Sequence, residues 1–89
     1  MNKTILIISS DKLDSEGMSR RLASEITSVY LAANVEEAIK YLSVKNLCLI
    51  ILDAEISQQD GHMLLKAIDK LKIAPVLILS SRPGHVDRL

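Results

Sequence analysis

Three uninterrupted apolar runs constrain this chain more than any other feature: Ile5-Leu6-Ile7-Ile8, Leu47-Cys48-Leu49-Ile50-Ile51-Leu52 and Val76-Leu77-Ile78-Leu79. Each has the length of a strand, and polar residues follow each one. A strand with one wet face alternates apolar and polar residues. A run without alternation marks a strand buried on both faces, the habit of parallel sheets. Val29-Tyr30-Leu31-Ala32 is a fourth, less apolar candidate, suited to a position nearer the sheet edge.

Helical patterns separate these runs. Leu13, Met18, Leu22 and Ile26 fit one helix face, interrupted by Gly17. Glu36 to Ser43 predicts a second helix with Ala38, Ile39 and Leu42 inward and Glu36–Lys40 as a favourable pair one turn apart. Leu64, Leu65, Ile68 and Leu71 line a third, with the Met63-Leu64-Leu65 cluster in the core, Asp60 as N-cap and Gly61 allowing an unusual turn. Pro75 breaks the chain before the last run. The order β-α-β-α-β-α-β with short connections predicts an α/β fold: a doubly wound parallel sheet with helices on both faces. At 89 residues there is room for one domain, 1–89.

With two Tyr and neither Phe nor Trp, the core must be aliphatic. Zero net charge and no like-charge run beyond two residues argue against direct nucleic-acid binding and against a polybasic tail. The first apolar run is too short for a signal peptide or a membrane span. Cys48, the single cysteine, is expected to be a small buried hydrophobe; without a disulfide framework, a cytoplasmic location is expected. His62 and His85 lack partners at metal-ligand spacing and are expected to be solvated or capping, and Arg20-Arg21 a solvated helix face.

Open α/β sheets take ligands at the carboxyl ends of their strands, where strand order reverses. The residues there are Ser9, Ser10 and Asp11 after the first run, Asp53 after the third, and Ser80 and Ser81 after the fourth, with the Asp60-Gly61 loop on the same rim. The stretch Leu49-Ile50-Ile51-Leu52-Asp53, followed by Asp60-Gly61 and Met63-Leu64-Leu65, resembles the central signature of response-regulator receiver domains. Pro75 to Ser81 is similar to that family's fourth strand, and Val29 to Ala38 to its second strand and helix.

The resemblance implies the flavodoxin-like receiver fold and a signalling role. Asp53 would accept a phosphoryl group from a sensor histidine kinase. Ser80 would be the switch hydroxyl. The chemistry suits a carboxylate, which is ionised at neutral pH and can form an aspartyl-phosphate. Phosphoryl transfer asks mostly for positioning and charge neutralisation, which Mg²⁺ normally supplies. Enzyme activity is not expected beyond self-phosphotransfer onto Asp53.

Three departures matter. Ser9-Ser10 stand where the family has an acidic pair, so Asp53, Ser10, Asp11 and Glu55 would make at best a weak Mg²⁺ site, because hydroxyls are poor ligands for this ion. Ser57 replaces a loop proline. The sequence stops at Leu89, before the family's last helix-strand-helix portion and its lysine, whose place none of Arg82, His85 or Arg88 takes, so an incomplete domain with an exposed fourth strand is expected. A longer chain with a C-terminal effector, such as a transcription regulator, or a partner such as a second copy, would cover that edge. The alternative is a pseudo-receiver, a phosphorylation-independent docking or dimerisation module, which Ser9-Ser10 favour. A haloacid-dehalogenase-like phosphatase wants Asp-x-Asp on the first strand; here it is Asp53-Ala54-Glu55 on the third. Three glycines without a Gly-rich turn exclude dinucleotide binding.

Overall fold

The computed structural model describes residues 3–24, 27–59 and 61–79. The elements run β1 (Lys3–Ile8), α1 (Lys12–Leu22), β2 (Thr27–Ala32), α2 (Val35–Tyr41), β3 (Leu47–Asp53), α3 (Ala54–Gln59), α4 (Gly61–Leu71) and β4 (Val76–Leu79). All strand pairs are parallel, in the order β2-β1-β3-β4. The expected doubly wound sheet is therefore present, with β2 at one edge and β4 at the other. Between α2 and β4 lie two helices where the sequence pattern predicts one.

Strand parity divides the core. Leu6, Ile8, Ile50 and Leu52 point to one face, where they meet Ala38 of α2, Ile56 of α3, and Leu64 and Ile68 of α4. Ile5, Ile7 and Ile51 point to the other, with Met18 of α1 packed against them. Leu6, Ile7, Ile8, Ile50, Leu52 and Ile68 are fully buried, each stabilising the fold by up to about 1.5–3 kcal/mol relative to exposure. β1 and the second half of β3 thus behave as their unalternated sequences predict.

Local chemistry sets the helix ends. Asn34 caps α2, its Oδ1 accepting from the Glu37 amide at 2.9 Å. Glu37 reaches back, its Oε1 accepting from the Ala33 amide at 2.7 Å. α4 closes in a Schellman turn. Lys72 takes the left-handed conformation (φ 52°), the Ile73 amide donates to the Ile68 carbonyl, and the Lys72 amide donates to that of Asp69, both at 3.2 Å.

Several expectations need correction. Cys48 is exposed: the β1–β3 register jumps there, Thr4 pairing with Leu47 and Ile5 with Leu49, so Cys48 is the extra residue of a bulge. Ile39 is 56% exposed because α2 turns Val35, Ala38 and Tyr41 inward, with Leu42 packed beyond them. Met63 and Leu71 are 71% and 67% exposed. Gly61, Leu64 and Ile68 form the buried face of α4, and after the Schellman turn Ile73 covers the core where Leu71 was expected. β4 is not buried on both faces: among the described residues Val76 packs on the core while Leu77, Ile78 and Leu79 are exposed, and β4 is an edge strand paired with β3. The exposed apolar edge expected there is present. Leu22 lies at the margin of the α1 face, 36% exposed. Arg20, Arg21 and His62 are exposed, as expected. The side chains of Leu13 and Ser57, and residues Ile26, Asp60, Ser80, Ser81, Arg82, His85 and Arg88, lie outside the described residues.

Candidate functional site

The chain runs β1→β2 toward one edge and β3→β4 toward the other, so strand order reverses between β1 and β3. Ile8 pairs with Leu52 at the end of that ladder, which sets Ser9 beside Asp53. Both are buried, at 6% and 7% exposure. Burial of a carboxylate demands partners, and each of its oxygens has one. The Ser9 hydroxyl donates to Asp53 Oδ2 at 3.1 Å. The Glu55 amide donates to Asp53 Oδ1 at 2.7 Å. Asp53 precedes α3, so this second bond is an N-cap. Ser9 Oγ in turn accepts from the Asp11 amide at 3.1 Å, which leaves its proton to point at Asp53.

Of the residues singled out in the sequence, Ser9 and Asp53 meet through side chains, while Asp11 and Glu55 contribute backbone amides. Ser10 is exposed and lines a shallow hollow of about 290 Å³ on the β2 side, with Ser9, Ser15, Ala33 and Glu37. Ser80, the expected switch hydroxyl, lies outside the described residues. A helix- or loop-capping role is the plain alternative for an Asp at this position, and Asp53 does cap a helix; the sequence pattern missed the helix itself, α3, directly after it. It also missed the hollow. The Asn34-x-x-Glu37 spacing on its rim is a legible capping box, but nothing in the sequence links that box to Ser15.

These features define a class: an open α/β domain whose switch-point carboxylate sits among hydroxyl and amide donors. The response regulator receiver domain model matches residues 5–88, and the chain belongs to that family, a module of two-component signalling. It is 27% identical over 89 residues to the regulatory protein VanRc of Enterococcus gallinarum, covering all of this chain and 38% of that protein. The chain thus spans well under half the length of this relative. Its fold is similar to the signal receiver domain of an HD domain-containing protein from Pseudomonas fluorescens Pf-5, with a TM-score of 0.77 at 21% identity, over 96% of this chain and 69% of that one. It is similar as well to a response regulator from Thermotoga maritima, with a TM-score of 0.76 at 16% identity, over 92% of this chain and 69% of that one.

Receiver domains generally bind Mg²⁺ at an acidic pocket. The residues here do not fit that ion well. Both oxygens of Asp53 are engaged by donors, and Ser9 and Ser10 offer hydroxyls where carboxylates would serve. Among the described residues, no three His, Cys, Asp or Glu side chains gather where they could hold a metal. Nor is any described helix long and apolar enough to cross a membrane.

Proposed function

We propose that the chain accepts a phosphoryl group on Asp53 from a sensor histidine kinase and relays that state to an interaction surface or a linked effector. The observation that carries this reading is the carboxylate at the strand-order reversal, held at the tip of β1 by Ser9. In the transfer, an Asp53 oxygen attacks phosphorus, the P–N bond to the kinase histidine breaks, and the imidazole nitrogen regains a proton. Positioning and charge neutralisation supply most of the catalysis in such transfers. In this reading Ser80 donates to the phosphoryl group, and Asp53, Ser10, Asp11 and Glu55 are the residues that would hold Mg²⁺, weakly. The domain works in the cytoplasm, beside an effector that regulates transcription.

The experiment is direct. Incubation of the chain with a small phosphodonor, followed by mass spectrometry, should show an acyl-phosphate on Asp53 that Asp53→Asn abolishes. An adduct elsewhere, or none in the presence of Mg²⁺, would refute acceptance at Asp53. A second reading, the phosphorylation-independent docking module, is favoured by the burial of Asp53 and the donors on both of its oxygens. Unchanged signalling by Asp53→Asn would select it.

A further inference from the structure

Asp53 is joined to the start of α1 by hydrogen bonds that meet at the backbone of Asp11. The Ser15 amide donates to the Asp11 carbonyl at 3.0 Å, which opens the helix. The Asp11 amide donates to Ser9 Oγ, and the Ser9 hydroxyl donates to Asp53 Oδ2. The other carboxylate oxygen is committed separately, to the Glu55 amide. One side chain, Ser9, therefore connects the charge on Asp53 with the β1–α1 turn, and the same side chain lines the hollow beside β2.

We propose that Ser9 is a positioning residue that both orients Asp53 and couples its charge state to the β1–α1 turn. A hydroxyl suits this task because it accepts and donates at once. A carboxylate at position 9 could accept from Asp11 but would repel Asp53. A change at Oδ2, such as a bond to phosphorus, removes the acceptor of the Ser9 proton. The hydroxyl then turns to a new acceptor, and the polarisation of the Asp11 amide changes with it. The Oδ1 cap on α3 is not part of this path. The signalling meaning of the coupling rests on Asp53 being the acceptor; the coupling itself is a property of the hydrogen-bonded chain.

The test is an amide chemical-shift cycle on the whole chain. Asp53→Asn is compared with its parent in three backgrounds: Ser9, Ser9→Ala and Ser9→Thr. With Ser9, the substitution should shift both the Asp11 and the Glu55 amide resonances. With Ser9→Ala, the Glu55 response should persist and the Asp11 response should vanish. With Ser9→Thr, which keeps the hydroxyl, the Asp11 response should return. A general loosening of the fold would not remove one response and spare the other. If Ser9→Ala does not fold, Ser9→Cys, close in size but a weak donor, serves the same comparison. An Asp11 response that is independent of the hydroxyl, or absent with Ser9, overturns the proposal. Failure of Asp53 to form an acyl-phosphate leaves this cycle intact and refutes only the acceptor reading.

Discussion

The bond between Ser9 and Asp53 should carry a measurable share of the stability of this small domain. Removing the hydroxyl in Ser9→Ala leaves buried Asp53 Oδ2 without its donor. A hydrogen bond to a charged group contributes about 1.5–3 kcal/mol. The Asp11 amide also loses its acceptor, but Asp11 is exposed and water can replace Ser9 there, so this adds little. A destabilisation of about 2–3 kcal/mol is expected for Ser9→Ala. Asp53→Ala loses the same bond and the cap on α3, which adds about 1 kcal/mol. The double variant should cost less than the sum of the two by about 1.5–3 kcal/mol, since the shared bond is lost only once. Urea unfolding followed by far-ultraviolet circular dichroism measures all three. With a slope of about 1–3 kcal/mol per molar, Ser9→Ala should lower the midpoint by roughly 0.7–3 M. The stacked pair Tyr30–Tyr41, 5.1 Å between ring centres, gives a near-ultraviolet signal that checks the docking of α2 on β2. A coupling energy below about 0.5 kcal/mol would refute the view that the hydroxyl holds the carboxylate.

Other substitutions test the fold by the same denaturation assay. Gly17→Ala should stabilise the chain by about 0.5–1 kcal/mol, because Gly17 is inside α1 and an added Cβ meets nothing within 4 Å. Lys72→Gly should stabilise by up to about 1 kcal/mol by relieving a left-handed non-glycine residue; a loss would mean the turn does not form as described. Asn34→Ala should cost about 1 kcal/mol and shift the Glu37 amide resonance, since it removes the cap of α2. Leu52→Ala should cost about 2–5 kcal/mol while Met63→Ala stays within about 0.5, a contrast that equal effects would contradict.

Much of this protein was legible along the chain. Unalternated runs identified β1 and β3 as buried parallel strands, and the weaker β2 run marked an edge. The residues after those runs located the site, because in an open α/β sheet strand ends and ligand positions coincide. Helix faces were read less well. Ile39, Met63 and Leu71 are apolar and lie near the helical spacing of the core, yet each is turned outward. Periodicity names candidates for a face, whereas packing against the sheet decides which of them turn inward: Val35, Ala38 and Tyr41 on α2, and Leu64 and Ile68 on α4.

What the sequence determined by itself was therefore the alternation of strands and helices and the placing of Asp53 at a strand end, since both depend on patterns local to a few residues. Only the tertiary structure decided that Cys48 bulges outward and that the Ser9 hydroxyl at the end of β1 meets one oxygen of Asp53 at the end of β3. Those outcomes depend on register between strands distant in sequence. A shift of one residue between Thr4 and Ile5 changes which side chain meets which, and no pattern within either strand records it.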